Sequence, residues 1–187
     1  TYLALVRGWA PAHIEVDHAL RPDDAPPDAA VQDAHTRFAC LAQLTLPEAS
    51  DPRFAHTRAS LVMAQPTTGR RHQIRRHLKH LAHPIIGDAT HGKGPLNRWW
   101  AERLGQQRLW LHAWQLAVPH PMTGAPLVFD SGLALPAAWA GVHAIDPGTL
   151  HDTPAPFDGW TQLLSLGLWN PQRTTAPVGL RAPALPS

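Results

Sequence analysis

A chain of 187 residues is long enough for one well-buried core, or for one domain with a tail. Its formal charge is only +2, so affinity for a polyanion would have to come from clustered rather than net charge. The single cysteine, Cys40, excludes an intramolecular disulfide and any site built from several thiolates. It lies in the apolar run Phe38–Ala42 and reads as a small buried hydrophobe in a reducing compartment. No apolar stretch reaches the length of a membrane-spanning helix, and the expected setting is the cytoplasm, away from membranes.

In chain order, Tyr2–Gly8 reads as a strand closed by glycine, and residues 13–20 as a short alternating segment. Residues 21–30 are rich in Pro and Asp and predict a surface loop. Strand-like runs follow at Ala34–Leu46 and Arg58–Gln65, then a turn at Pro66–Gly69 and a helix over Arg71–Ala82. A second helix is expected over Leu96–Leu104, then strands at Arg108–Val118 and Pro126–Asp130, joined by the turn-forming Pro121–Ala125. Successive strands with few intervening helices predict an α+β fold with a mixed, mainly antiparallel sheet flanked by helices. Residues 144–187 are Pro-rich and read as an extension that docks one short helix, within Phe157–Trp169, with Asp158 as a candidate N-cap.

The most charged segment is the first helix. Arg70, Arg71, Arg75, Arg76 and Lys79 fall within ten positions, and no acidic residue occurs between Ser60 and Gly87. Ile74, Leu78, Leu81 and Ala82 have the spacing of a buried stripe, which turns Arg76 and His80 outward. Arg75 falls on the border of that stripe, where a guanidinium costs several kcal/mol unless an acceptor meets it. Thr68–Arg71 would bring backbone N–H groups and two cations together at the helix start, a setting that suits phosphate. The plain alternative is a solvated cationic face. His77, His80 and His83 recur every third residue without an HExxH pattern, and no metal site is expected.

Four segments in order resemble the RluA-like family of pseudouridine synthases, its tRNA-modifying branch above all. They are Tyr2–Gly8, Thr68–His77, His83–Gly92 and Arg108–Ala113, the last followed by His120–Gly124. The resemblance covers residues 1–143 and implies the C-terminal portion of a pseudouridine synthase catalytic domain. It implies isomerisation of uridine to pseudouridine in RNA, with tRNA the first candidate substrate and ribosomal RNA the second. No cofactor is implied, and a monomer is expected. Arg75 matches the arginine that pairs with the family's nucleophilic aspartate, and Tyr2 the tyrosine that stacks on the target base. Ile74 and Leu111 match the pocket wall. Arg70, Arg71, His72, Gln73, Arg76, His77 and Lys79 are candidates for RNA contact. Trp99 and Trp100 could stack on splayed bases, although at least one should serve the core. His112 reads as a hydrogen-bonding structural residue.

One departure stands out. The family's nucleophile lies in an Arg-Leu-Asp motif upstream of the position matching Tyr2, and no Arg-Leu-Asp occurs in this sequence. Asp17, Asp88 and Asp130 lie in other contexts, Asp88 in the family's structural Gly-Asp. Thr1 opens almost directly into a strand. The expectation is therefore a fragment that is inactive alone, in which Arg75 faces a carboxylate the chain does not contain. The competing reading is a non-catalytic RNA-binding module derived from the same fold. A DNA-binding helix-turn-helix is disfavoured by the strands on either side of the basic helix.

Overall fold

The structure is a computed structural model that describes residues 1–136, 158–165 and 167–172. The strands are β1 (Tyr2–Arg7), β2 (His13–Asp17), β3 (His35–Leu46), β4 (Thr57–Pro66), β5 (Leu111–Ala113), β6 (Gln115–Pro119), β7 (Pro126–Asp130) and β8 (Trp169–Pro171). The helices are α1 (Gln73–His80), α2 (Gly94–Leu104) and α3 (Asp158–Ser165). Strands β2-β3-β4-β1-β5 form one sheet in that order, and every pairing in it is antiparallel. The N-terminal half of β3 borders β2 and its C-terminal part borders β8, with a register shift between Cys40 and Ala42 separating the two. The α+β architecture inferred above is the observed one, but among the described residues the strand pairings are all antiparallel rather than mixed.

Both faces of the sheet are buried at its middle, where Leu3–Val6 of β1, Phe38–Ala42 of β3 and Leu61–Ala64 of β4 are continuously apolar. On β1 the alternation divides the residues cleanly. Leu3 and Leu5 join one cluster with Leu61, Met63, Trp100, Trp110 and Trp160, while Ala4 and Val6 join another with Phe38, Val62, Ile74, Leu78 and Ile85. Helix α1 therefore covers one face, and the tryptophans of α2, α3 and the approach to β5 cover the other.

Three elements differ from the sequence-based expectation. The strand predicted over Arg108–Val118 is two strands, because Trp114 leaves the ladder: its ring is buried and its Nε1 donates to the Leu133 carbonyl at 3.0 Å. The helix predicted up to Ala82 ends at His80, and Ala82 adopts a left-handed conformation with φ 61°. The helix predicted up to Trp169 ends at Ser165, and Trp169 begins β8. The Asp158 side chain and the remainder of the 144–187 extension lie outside the described residues.

The short α3 is held by its anchors. Trp160 is fully buried, packs edge-on against Trp110 at 5.3 Å between centroids, and is joined in the same cluster by Leu163 and Leu164. Replacing Trp160 by alanine should lower the unfolding free energy by ~3–5 kcal/mol. Urea denaturation of the parent and the variant measures this directly, and Trp160→Phe should recover part of the loss.

Candidate active site

The turn before α1 is organised by Gln73. Its Oε1 accepts from the Thr68 hydroxyl at 2.8 Å and from the Arg70 N–H at 3.0 Å. Its Nε2 donates to the His35 carbonyl at 3.0 Å and to Thr36 Oγ1 at 2.9 Å. The Thr36 hydroxyl then meets His77 Nδ1 at 2.9 Å, and His77 Nε2 meets the His18 carbonyl at 3.1 Å. A carbonyl can only accept, so Nε2 carries the proton and Nδ1 accepts from Thr36. Gln73 and His77 thus form a continuous buried relay that ties α1 to β3. The expectation that both contact RNA is corrected by their burial and their complete internal pairing. His77 sits at i+3 from Ile74, which places it on the buried stripe rather than the outer face.

The outer face of α1 is not bare. The loop after β2, predicted only to lie at the surface, folds over it. Asp23 lies 3.6 Å from Arg71, 2.9 Å from His72 and 3.2 Å from Arg76. Arg71 also pairs with Asp24, and Arg76 donates to the Arg21 carbonyl at 2.6 Å. Arg70 donates through Nε to the Asp33 carbonyl at 2.9 Å. The Arg70 N–H expected to await a phosphate is instead taken by Gln73.

Arg75 does have a carboxylate in this chain. Its Nε and Nη2 form a bidentate pair with Asp88, each at 2.8 Å. This corrects the expectation that the chain holds no partner for it. The Asp88 side chain is fully buried, and its Oδ1 also accepts the backbone N–H groups of Thr90 at 2.9 Å and His91 at 2.8 Å. Burial alone would push the Asp88 carboxyl up; the Arg75 guanidinium and the two N–H donors outweigh it and hold it below its ordinary value. The same hydrogen bonds to Asp88 raise Arg75 against its own burial.

The loop that carries Asp88 is fixed from three sides. Ile86 donates to Leu5 of β1, Trp110 donates to Ile86, and Leu5 donates back to Trp110. Gly87, at φ 79°, passes so close to the Arg108 carbonyl that a Cβ would overlap it at 1.7 Å. Asn97 of α2 accepts the Gly87 N–H at 3.1 Å and donates to the Asp88 carbonyl at 2.9 Å. Sequence reasoning misses Asn97, whose amide alone carries no signal in a helix otherwise read for its tryptophans.

The structure also brings the expected pocket residues to one place. Ile74 is buried in the α1-side cluster, and Tyr2 and Leu111 pack against it half-exposed from neighbouring strands. Trp100 is a core residue and Trp99 packs partly buried beside it, edge-on at 5.2 Å. His112 is bonded to Ser131 at 2.8 Å and leans on Trp160; burial, with Arg108 adding to it, lowers its pKa. His80 stacks on His18 at 4.2 Å, and His83 donates to the Arg7 carbonyl at 2.8 Å, so the three spaced histidines serve three separate purposes.

The chain that carries this half-buried, paired arginine on its antiparallel sheet has known relatives. Residues 1–80 match the family described as RNA pseudouridylate synthase. The fold matches the human RNA pseudouridylate synthase domain-containing protein 1 with a TM-score of 0.51 and 22% identity, covering 87% of this chain and 64% of that one. The chain belongs to the RNA pseudouridylate synthase family. Within it, the chain is similar to tRNA pseudouridine synthase C of Vibrio cholerae, at 44% identity over 76% of this chain and 60% of the relative. It is 42% identical to the Salmonella typhimurium enzyme of that name over 71% of this chain and 53% of the relative. The chain spans little more than half the length of these curated relatives.

Burial lowers the pKa of His77 despite its bond to the His18 carbonyl, and burial lowers that of His91 as well. Above about pH 6.5 both the folded and unfolded forms of these side chains are neutral, and stability is at its full value. As the pH falls below that point the unfolded state takes up protons first, so stability declines. The melting temperature should therefore fall on acidification from about pH 7.5 to about pH 5.5, and His77→Gln should make that decline shallower. A scanning-fluorimetry pH series on both proteins tests it.

Proposed function

We propose that the protein isomerises uridine to pseudouridine in RNA, with tRNA as the substrate class. The observation that carries this reading is Arg75, held rigidly by Asp88 next to Ile74 of the apolar patch. A guanidinium has five N–H donors. Asp88 takes two of them, through Nε and Nη2, and both N–H groups of Nη1 remain for a second carboxylate. In this reading that second carboxylate is the nucleophile, kept ionised by Arg75 beside a base pocket from which water is excluded. Asp88 is a positioning residue: it sets the angle and charge of Arg75 and is itself too enclosed to reach a nucleoside. Tyr2 stacks on the target base, with Ile74 and Leu111 forming the wall. The base leaves the ribose at N1 and is rejoined through C5; C5 then gives up its proton and N1 takes one up, so the isomerisation balances with no cofactor and no change of oxidation state.

No aspartate of this chain stands in the Arg-Leu-Asp context. The attacking carboxylate is therefore assigned to sequence outside these residues, and the 187-residue chain alone should not turn over. A tritium-release assay on uridine-labelled tRNA tests the reading in two arms. A longer product of the same gene that carries Arg-Leu-Asp should be active, and Arg75→Ala in it should abolish turnover while RNA binding is largely kept. Asp88→Asn should lower kcat by ~10²-fold or more with little change in KM, as expected of a misplaced charge. Robust turnover by the present chain would defeat the assignment of the nucleophile. The second reading, a non-catalytic RNA-binding module, is favoured if the longer product binds RNA and leaves it unmodified.

A further inference from the structure

The cations that the sequence makes most conspicuous are largely occupied. Arg71 and Arg76 lie against Asp23 and Asp24, and Arg75 is held by Asp88. A different set of cations surrounds a groove of about 1010 Å³ at the far end of β1. Its walls are the end of β1 through Trp9, the loop 50–58, the C-terminal end of α1 through Pro84, and the segment that leads into α2. Arg7, Arg58, Lys79 and Lys93 line it.

The single carboxylate in the lining is Asp51, and Arg53 already binds it through Nε at 2.9 Å and Nη2 at 2.6 Å. Among the described residues, none of Arg7, Arg58, Lys79 and Lys93 has a carboxylate within ion-pair distance. Arg7 is the most telling. Its Nε is buried and has no hydrogen-bond partner, although buried donors are almost always satisfied. Aromatic surface stands beside this charge. The Arg58 guanidinium lies 4.1 Å over the Trp9 ring, Trp9 is 45% exposed, and Phe54 on the opposite loop is 61% exposed.

Unpaired cations alternating with exposed rings suit one kind of ligand. Phosphates satisfy the cations, and unstacked bases lie on the rings. Paired RNA would offer its phosphates but keep its bases from Trp9 and Phe54. We propose that this groove binds a single-stranded stretch of the substrate RNA outside the target uridine, with its backbone on Arg7, Arg58, Lys79 and Lys93 and a base on Trp9 or Phe54. The proposal rests on the RNA-modifying function above, and it moves the main phosphate contact from the outer face of α1 to the groove.

Fluorescence anisotropy of the 187-residue chain with a labelled single-stranded RNA, titrated with salt, tests it. Arg58→Ala with Lys93→Ala should weaken binding ~10-fold and make the slope of log K against log salt shallower by ~1.4, as loss of two phosphate contacts requires. Arg58→Lys with Lys93→Arg should restore the slope. Arg71→Ala with Arg76→Ala should shift it by less than half as much. Phe54→Ala should weaken single-stranded RNA ~10-fold and leave heparin binding unchanged, since heparin has no base to stack. If the groove variants bind like the parent while the α1 variants lose affinity, the groove is not the contact surface and the RNA-modifying reading stands. If the parent binds neither single-stranded RNA nor tRNA, the RNA reading fails, and the groove proposal with it.

Discussion

The pair between Arg75 and Asp88 is the constraint on which the site depends. Burying a carboxylate and most of a guanidinium costs several kcal/mol per ion, and attraction between them offsets this only when the remaining donors and acceptors are matched. Here the matching is supplied by the backbone. Asp88 receives the N–H groups of Thr90 and His91 in addition to the two from Arg75. The loop cannot drift, because Ile86 is hydrogen-bonded into the space between β1 and the approach to β5. Gly87 is required there by its left-handed φ and by the Arg108 carbonyl, which leaves no volume for a Cβ. The geometry of one guanidinium is thus set by β1, an inner strand of the sheet, rather than by the flexible side chain that carries it.

A second consequence concerns charge. A helix with two arginines before it and three more cations along it repels itself, and its N-terminal dipole disfavours the cations near that end. The chain resolves this with its own Asp23 and Asp24, delivered by a Pro-rich loop. Of these contacts the Arg71–Asp24 pair is exposed and contributes little to stability, whereas Arg76 and Asp23 are partly enclosed. Their effect is on availability: a phosphate approaching this face competes with carboxylates already in place, whereas one entering the groove at Arg7 does not.

The sheet is legible in the sequence because its strands are long, apolar and separated by Pro, Gly and Asp. The end of β7 at Asp130 and the start of β1 at Tyr2 follow directly from that pattern. β8 is not legible: it is three residues, Trp169–Pro171, too short to alternate and carrying the turn-like pair Asn170-Pro171, and exists because β3 has an open edge beyond β2. Helical spacing places Arg75 on the border of the buried stripe, but it leaves Asp88 as a loop residue, since sequence distance carries no angle. Gln73 and His77 mislead for a different reason. Residue type and the company of arginines suggest solvent, while the i+3 and i+4 relations to Ile74 and to each other place them on the inner face.

Their inner position shows how the helix divides its work. Gln73 and His77 are four apart and face β3, where Thr36 accepts from one and donates to the other. Arg75 lies between them in sequence and projects away from that row, toward Asp88. Because the inner row is fully hydrogen-bonded, α1 can neither rotate nor slide without breaking buried pairs, and each broken pair leaves an unsatisfied polar group. The helix is therefore locked twice, by a neutral relay on the β3 side and by an ion pair on the Asp88 side. Two locks on opposite flanks of Ile74 fix the guanidinium in both rotation and depth, which is what the role proposed for Arg75, steadying a reacting carboxylate, requires.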